Sequence, residues 1–465
     1  MTLSIQGISL FYLISAALFI FGLKGLTHPT SARHGNLYAM AAMVIAIGAT
    51  LFHPAVKNYT FIVAGLLGGA VIGTIIALRI RMTAMPQLVA ALHSFVGFTA
   101  VLVAIGAYLN LGSAHAPSPV LLSELFVGSI IGALTATGSA IAFSKLQAIL
   151  PGRPLLLPQR HALHLILTLC MLGLGVHFIM YGHVASLLLA TLIALTLGVL
   201  LILPIGGADM PVVVSLLNSY SGWAAAATGF TLGNYLLIIV GAIVGFSGGI
   251  LSFIMSRSMN RSIVSIMLGG FGAGTSATET PMAAASDRGI KSAAVEDAVF
   301  LLSNANKVII VPGYGMAVAQ AQHALKELSE ILGHKGVEVQ FAIHPVAGRM
   351  PGHMNVLLAE ADVPYEQVLE MDEINPEFAR ADVVLIVGAN DVTNPAAKND
   401  ASSPIYGMPI LEVSKAKHIF FVKRSMKPGY SGVDNLLFNN ENCSLVFGDA
   451  KTICEQMAAE LKLAA

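Results

Sequence analysis

The chain opens with long apolar runs separated by short polar loops, and past about residue 260 the apolar stretches become short and alternate with charged segments. A helix needs roughly 20 residues to cross a hydrocarbon core about 30 Å thick. The pattern therefore predicts an all-α membrane bundle of about nine transmembrane helices followed by a soluble part. The predicted spans are residues 8–26, 37–52, 60–78, 84–109, 121–143, 163–180, 185–204, 211–228 and 235–256.

Charge supports this division and orients the bundle. Only 11 of the 50 charged residues precede Asn260. If the runs alternate in direction, seven basic residues fall in loops on one side, and Lys57 alone falls on the other. Basic loops face the cytoplasm, so we expect the N-terminus outside and the soluble part in the cytoplasm. The seven are Lys24, Arg33, Arg79, Arg81, Lys145, Arg153 and Arg160.

Polar side chains inside the apolar runs are candidates for an ion path, because an ionisable group in hydrocarbon costs several kcal/mol. His93 lies 12 residues beyond Arg81, roughly 18 Å along a helix, and is expected near mid-membrane. A neutral imidazole can accept a proton at one nitrogen and release one from the other. Hydroxyl and amide groups that could assist it occur in the fifth and eighth runs, at Ser139, Ser215, Asn218 and Ser221.

The same polar residues have a structural interpretation, in which His93 and Asn218 only form hydrogen bonds between helices. Glu124 and Asp209 lie at the edges of runs, where we expect them to be solvated.

Composition excludes several classes of partner and site. Acidic and basic residues are equal in number, and no basic recognition patch occurs, so nucleic acid is not expected as a partner. The three cysteines form no CxxC pair and predict neither a disulfide framework nor a metal site.

The soluble part contains a strand, a glycine turn and a helix in the order typical of dinucleotide-binding domains. The strand is Lys307–Val311, and the turn contains Gly313, Tyr314 and Gly315. Glycines allow the backbone to approach a pyrophosphate, and a helix N-terminus offers free amides. Val318 stands where a third glycine is common. The helix is predicted to bury Val318, Ala321, Leu325, Leu328 and Leu332.

The strand ends favour a phosphorylated ribose over NAD. A second strand, residues 337–343, runs into His344 and Arg349 without the acidic residue that holds a ribose 2′-hydroxyl in NAD sites. Lys423 and Arg424 follow a later strand, and adjacent cations suit a phosphate dianion; the alternative is a solvated strand end. Between them, a buried strand from Asp382 ends in polar residues that include Asp391.

These patterns predict three segments. Residues 1–260 form the transmembrane bundle, residues 261–306 form a connector with a short helix, and residues 307–465 form a Rossmann-like α/β domain with a mainly parallel sheet. The connector contains a glycine-rich stretch, residues 269–281, and a helical pattern over residues 291–303. The glycines lack the following lysine of a Walker motif, which favours a flexible linker.

Four motifs resemble those of a known family, the β subunit of bacterial proton-translocating NAD(P) transhydrogenase, and the resemblance covers essentially the whole chain. The motifs are Pro312-Gly-Tyr-Gly-Met-Ala-Val-Ala-Gln320, Ala347-Gly-Arg-Met-Pro-Gly-His353, Gly388-Ala-Asn-Asp391 and Val422-Lys-Arg-Ser-Met-Lys-Pro-Gly-Tyr430.

The resemblance implies an enzyme of two components in the bacterial inner membrane. This chain would bind NADP(H), and a partner α subunit would bind NAD(H). Hydride would pass from NADH to NADP⁺ while a proton moves through the bundle. Two α/β units are expected to dimerise. Mitochondrial relatives fuse both parts into one longer chain, so a mitochondrial origin is not expected.

The resemblance also implies roles for individual residues. His93, Ser139 and Asn218 would line the proton path, and Asp391 would link cofactor state to proton transfer. The cofactor contacts would come from the glycine turn and from three later segments. Those residues are Gly313, Tyr314, Gly315, Val318, Arg349, Lys423, Arg424 and Tyr430.

Two other functions fit part of the pattern. The first is an ion transporter or channel gated by a cytosolic nucleotide-binding domain. The second is a membrane-anchored dehydrogenase with an organic substrate, which would need a substrate domain that the sequence does not suggest.

Overall fold

A computed structural model describes residues 5–26, 29–54, 56, 58–111, 117–152, 154–155, 157–206, 209–268, 290–401, 403, 405–426 and 433–463. The chain divides into two compact units. The first comprises residues 1–143, 157–200 and 216–250, and the second comprises residues 144–156, 201–215 and 251–465.

The membrane part consists of long helices, as the apolar runs predict. They are α1 Ile5–Gly25, α2 Pro29–Leu51, α3 Tyr59–Arg79, α4 Met85–Leu109, α5 Pro119–Leu146, α6 Arg160–Tyr181, α7 Val184–Ile202, α8 Met210–Leu232 and α9 Tyr235–Ser258. Eight of the helices in the described residues are long and apolar enough to cross a membrane. The chain is therefore a multi-pass membrane protein.

Two elements of the bundle differ from the expected runs. Helix α2 begins at Pro29, about two turns before the predicted start. The prediction missed its first turns because they are polar and a count of apolar residues does not include them. Helix α8 is not among the eight apolar spans. Its serines and Asn218 lower its hydropathy, yet most of its residues are buried, so protein and not lipid surrounds much of this helix.

Glycines let two pairs of helices touch through their backbones. A Cβ atom on Gly97 of α4 would lie 2.5 Å from Gly132 O and from Ala136 N of α5. A Cβ on Gly222 of α8 would lie 2.2 Å from Gly245 N of α9. Small residues allow such approach where lipid gives no hydrophobic drive between helices.

A seven-stranded parallel sheet forms the centre of the soluble part. Its strands are β1 Lys291–Ser292, β2 Lys307–Pro312, β3 Glu338–Ile343, β4 Val368–Glu370, β5 Val383–Val387, β6 His418–Lys423 and β7 Cys443–Phe447. Their spatial order is β1-β7-β6-β5-β2-β3-β4. The sheet is therefore the predicted α/β type, and every registered pair is parallel.

The remaining helices are short or cover the sheet. They are α10 Ile263–Met267, α11 Val295–Ser303, α12 Tyr314–Ala319, α13 Gln322–His334, α14 His353–Glu360, α15 Met371–Ile374, α16 Ala396–Asn399 and α17 Ala450–Leu463.

The central strands are buried on both faces, which explains their uninterrupted apolar sequences. Val308 and Ile310 of β2 point into a core that includes residues of α11, α13, α14 and α17. Ile309 and Val311 point into a second core on the opposite face, which Phe378 and Phe438 help to fill.

The strand order reverses between β2 and β5. Strand β2 pairs with β3 on one side, and the chain then returns to β2's other side to add β5, β6 and β7. Crossovers on opposite sides of neighbouring strands leave a crevice at their carboxyl ends, where open α/β sheets bind ligands. Gly313 ends β2 at this switch point, and Gly388 ends β5.

The helix after the glycine turn is broken, contrary to expectation. Helix α12 ends at Ala319, Gln320 takes a left-handed conformation with φ 55°, and α13 begins at Gln322. Leu325, Leu328 and Leu332 are buried as predicted, whereas Val318 is 46% exposed. The break rotates α12 relative to α13, so residues 318 and 325 no longer share one face.

The predicted helical pattern over residues 291–303 is a strand followed by a helix. Strand β1 pairs with β7, and α11 buries Ala298 and Leu302 in the core beside α17. The predicted segment boundaries at residues 260 and 306 stay a prediction. The glycine-rich stretch, residues 269–281, lies outside the described residues.

Candidate functional site: a crevice at the strand ends and a buried polar cluster

Gly313, Gly315 and Gly388 join the two turns that flank the switch point. The Gly313 amide donates to Val387 O at 2.9 Å, and the Gly315 amide donates to Gly388 O at 2.9 Å. A Cβ on Gly313 would lie 2.4 Å from Gly388 O, and one on Gly388 would lie 2.2 Å from Met316 N. Gly388 also has φ +72°, a region that side chains rarely adopt. The glycines thus allow the two strand ends to meet.

Arg349 lies against the glycine turn through Tyr314. Its guanidinium carbon is 4.3 Å from the centre of the Tyr314 ring, a cation–π arrangement. Burial raises the pKa of the Tyr314 phenol, although the Arg349 charge opposes this shift. Arg349 Nη1 also donates to Leu146 O at 2.8 Å within the same compact unit.

His353 supports the loop that carries Arg349. Its Nδ1 accepts a hydrogen bond of 3.0 Å from the Arg349 amide, and its ring is 6.3 Å from that of Tyr314. Burial lowers the pKa of His353 to about 4, and the Arg349 charge adds to the shift. Because the imidazole is neutral at pH 7, Nδ1 can act as the acceptor.

Lys423 lies half-buried at the carboxyl end of β6. Its Nζ is 4.6 Å from the centre of the Phe438 ring. Burial lowers the pKa of Lys423, while the charges of Asp434 and Asp391 raise it. The adjacent Arg424 is exposed. A desolvated ammonium beside an exposed guanidinium is a donor set that fits a phosphate.

Asp391 lies in the turn after β5, beside Asn390 of the predicted polar strand end and near two asparagines, Asn394 and Asn435, that sequence reasoning missed. Asn390 Nδ2 donates to Asp391 Oδ1 at 3.1 Å, and Asn435 Nδ2 donates to Asn390 O at 3.0 Å. Asn394 Nδ2 donates to Asp434 O at 3.0 Å. These amides connect the turn after β5 to the segment after residue 432. Asparagine in turns is too common for the sequence to have singled out Asn394 and Asn435.

Among the predicted crevice residues, Tyr430 lies outside the described residues. The others follow the ends of β2, β3, β5 and β6, which lie at one edge because the strands are parallel. Val318 is exposed near this edge instead of buried in the core.

In the bundle, His93 of α4 meets Ser221 of α8. Ser221 Oγ lies 3.0 Å from His93 Nδ1. Asn218 is partly buried one turn earlier on α8. The sequence placed Ser221 and Asn218 on the same face of α8. The packing of α4 against α8 shows that Ser221 is the residue that contacts His93.

Ser139 is fully buried in α5. Its Oγ and His93 Nε2 are both buried without a hydrogen-bond partner among the described residues. Ser94 Oγ, next to His93, donates to Ala136 O at 2.7 Å, and Ser139 follows Ala136 by about one helical turn. The bundle therefore buries these two polar atoms where the described protein supplies no partner, which is uncommon for a buried polar atom in a folded protein.

Asp209 is not solvated, contrary to expectation. It is 1% exposed, and both of its carboxylate oxygens lie 2.6 Å from Arg261 Nη1. A charge at a helix edge is buried when a partner compensates for its desolvation, and Arg261 lies 52 residues away in the chain.

Comparison with known proteins resolves the family. The family model for the NAD(P) transhydrogenase beta subunit matches residues 8–460. The chain belongs to this family. The NAD(P) transhydrogenase subunit beta of Rhodospirillum rubrum is 56% identical to this chain over 451 residues. The same protein from the strain ATCC 11170 of that species shows the same identity over the same length. The match covers 96% of this chain and 97% of that protein.

Membership in the transhydrogenase beta-subunit family confirms the predicted resemblance and gives the fold its biochemical setting. The family implies an oxidoreductase that uses nicotinamide nucleotides, and the term beta subunit implies an alpha-subunit partner. The multi-pass helices and the parallel sheet agree with this assignment. The roles of single residues stay predictions.

Proposed function

We propose that this chain is the NADP(H)-binding and proton-conducting subunit of the transhydrogenase. Hydride would pass between NADH, held by the α subunit, and NADP⁺, held here, while a proton crosses the membrane. The observation that carries the proposal is the switch point between β2 and β5, which is flanked by cationic side chains in a chain of this family.

The residues at the switch point fit a phosphorylated dinucleotide. Lys423 and Arg424 supply adjacent positive charges for a 2′-phosphate, and His344 stands where an NAD site would carry an acidic residue. Arg349 supplies a further cation at the glycine turn. The roles of Gly313, Gly315 and Val318 at the pyrophosphate, and of Tyr430 in closing the site, stay predictions.

The bound nicotinamide supplies the hydride donor or acceptor. The side chains of this chain orient it and set its electrostatic surroundings. Asp391 contributes negative charge near Lys423, so a change in the charge around the cofactor alters the balance between these two groups. Asp391 is thus suited to report the cofactor's state.

Coupling requires that protonation in the bundle change the relative affinity for NADP⁺ and NADPH. His93 is the ionisable group of the buried polar cluster, with Ser139 and Asn218 on neighbouring helix faces. We place these residues on the proton path. The soluble part lies in the cytoplasm and the N-terminus outside, and two α/β units form a dimer.

A titration of the full-length chain in detergent tests the cofactor assignment. NADPH is expected to bind at least about 100-fold more tightly than NADH. Lys423→Ala removes a charged phosphate contact that contributes about 1.5–3 kcal/mol, so NADPH affinity should fall roughly 10- to 100-fold while NADH affinity is unchanged.

Lys417→Ala is the matched control. Lys417 precedes the same strand at the opposite edge of the sheet, where it is exposed and pairs with Asp382 at 2.7 Å. This variant should bind NADPH as the wild type does. Equal affinity for NADH and NADPH would favour the gated-transporter function instead, and binding of neither nucleotide would contradict the cofactor assignment.

Proton movement tests the second half of the proposal. His93→Ala, reconstituted in vesicles with the α subunit, should lose proton translocation and coupled turnover. It should still bind NADPH, because His93 lies in the first compact unit and the crevice in the second, but its NADPH affinity should no longer respond to protonation in the bundle. Unimpaired proton pumping would remove His93 from the path.

A further inference from the structure

The two oxygen and nitrogen neighbours of Ser221 Oγ constrain which nitrogen of His93 carries a proton. Ser221 Oγ lies 3.0 Å from His93 Nδ1 and 3.0 Å from Leu217 O, the carbonyl one turn earlier in α8. A carbonyl oxygen can only accept, and a serine hydroxyl has one hydrogen to donate. When that hydrogen goes to Leu217 O, His93 must donate from Nδ1–H to Ser221 Oγ.

This assignment leaves the lone pair of the neutral ring on Nε2. His93 Nε2 is buried and has no partner within the described part of the chain. The nitrogen that can take up a proton therefore points away from Ser221.

Backbone contacts beside each residue hold the helix that carries it. On α8, Gly222 packs against Gly245. On α4, Gly97 packs against Gly132 one turn beyond His93. These contacts pack α4 against α5 and α8 against α9, so the helix that carries each residue is held by close backbone contact with a neighbouring helix.

We propose that Ser221 is a positioning residue that holds His93 as the Nδ1–H tautomer, so that the transported proton both binds to and leaves from Nε2. The inference rests on the proposed role of His93 in the proton path. Uptake of a proton at Nε2 forms an imidazolium, and its Nδ1–H group keeps donating a hydrogen bond to Ser221 Oγ. Loss of the Nε2 proton restores the starting tautomer.

This mechanism differs from passage through the ring, in which a proton enters at one nitrogen and leaves from the other. Because only Nε2 exchanges protons, His93 cannot pass a proton through its ring from one fixed neighbour to another. Nε2 must face the proton source and the proton acceptor at different times, so the coupling between cofactor state and proton release acts on the surroundings of Nε2.

The tautomer can be read directly by nuclear magnetic resonance of the full-length chain in lipid, with ¹⁵N in the histidine rings. The signals of His93 are assigned by their absence from His93→Gln. At a pH where the ring is neutral, wild type should show a protonated Nδ1 and an unprotonated Nε2. Ser221→Ala should move part or all of the population to the Nε2–H tautomer.

Two variants separate positioning from packing. Ser221→Thr keeps the hydroxyl and should retain the wild-type signals. Ser219→Ala removes another buried hydroxyl of α8 and should leave the His93 signals unchanged. With the α subunit in vesicles, Ser221→Ala should lower proton translocation about tenfold, less than the roughly 10²–10⁴-fold that a proton-transfer group itself contributes. Ser221→Thr should restore translocation to within about twofold of the wild type.

An Nε2–H tautomer in wild type, unaltered signals in Ser221→Ala, or full translocation by Ser221→Ala would each overturn the proposal. Failure of the proposed function is distinguished by His93→Ala. If that variant pumps protons normally, the path does not use His93, whatever tautomer the spectra show.

Discussion

The bundle and the soluble domain both depend on glycines at backbone contacts, but they assemble polar groups in different ways. At the sheet edge, Gly313, Gly388 and Lys423 follow strand ends, so topology alone brings them to one edge. In the bundle, His93 and Ser221 lie 128 residues apart on helices whose facing sides are set only by packing.

The difference shows where local sequence carries functional information. A parallel sheet places the carboxyl ends of all its strands at one edge. The sequence alone therefore assigns a polar residue that follows an apolar strand to that edge. A helix offers faces all around its axis, so a polar residue in a transmembrane run is located only after the neighbouring helix is known.

The largest expected effect tests helix contact in the bundle. Gly97→Val should destabilise the protein by more than about 3 kcal/mol, because overpacking commonly costs 1–3 kcal/mol and here the new atoms meet backbone at 2.5 Å. The measurement is the thermal denaturation midpoint in detergent. Gly106→Val on the same helix has no atom within 4 Å of its Cβ and should be nearly neutral. Equal midpoints for the two variants would contradict the close packing of α4 and α5.

The equivalent contact in the soluble domain should give a somewhat smaller effect. Gly388→Ala combines a left-handed backbone, which costs about 1–2 kcal/mol, with a Cβ placed 2.2 Å from Met316 N. We expect a loss of about 2–3 kcal/mol and weaker NADPH binding. Gly336→Ala has φ +84° and open space around its Cβ, so it reports backbone strain alone. If both variants lost the same stability, the contact between the two turns would be unimportant.

Acid should weaken the soluble domain through its buried histidines. Burial lowers the pKa of His344 and His353 from 6.5 to about 4. The unfolded chain therefore takes up protons below about pH 6.5, whereas the folded chain does so only near pH 4. The stabilisation is complete above pH 6.5 and is lost as the pH falls toward 4.

At 1.36 kcal/mol per pKa unit, each histidine should lower the free energy of unfolding by about 2 kcal/mol between pH 7 and pH 5. The thermal midpoint of the wild type at the two values gives the total change. His353→Gln should show a smaller change, and the exposed His334→Gln should match the wild type. A His353→Gln change as large as that of the wild type would place the acid sensitivity elsewhere.

The smallest effect tests the break between α12 and α13. Val318→Ala should alter stability by less than about 0.5 kcal/mol because its side chain is exposed. Leu325→Ala in α13 should cost about 2–5 kcal/mol because its side chain is fully buried. The denaturation midpoints of the two variants give the comparison. A comparable loss of stability in both would favour the continuous helix that the sequence pattern predicted over the break at Gln320.

The sequence predicted most of the sheet's central strands but not its edges. Strands β2, β3, β5 and β6 are apolar enough to be recognised alone. Strands β1 and β4 contain two and three residues, too few to show a period, and their pairing partners define them. The break at Gln320 also left no local signal, since alanine and glutamine are good helix formers.

For the candidate site, sequence identified residue types and left their partners open. Lys423 and Asp391 were each expected at a strand end, and the structure adds their electrostatic contact. Asp209 was expected in solvent because it lies at the edge of an apolar run. Its partner Arg261 lies beyond the next helix, so the sequence around Asp209 did not show the ion pair. Buried ion pairs depend on contacts distant in sequence, and periodicity describes one element at a time.

The sequence by itself determined the division into a membrane bundle and a soluble α/β domain, because solvent preference is a property of each residue and accumulates along a segment. It also determined the family, through motifs carried over nearly the whole chain. Only the tertiary structure decided that Ser221 meets His93 and that the turns after β2 and β5 touch. Those contacts depend on which faces of distant elements pack together, and single-segment patterns contain no information about that choice.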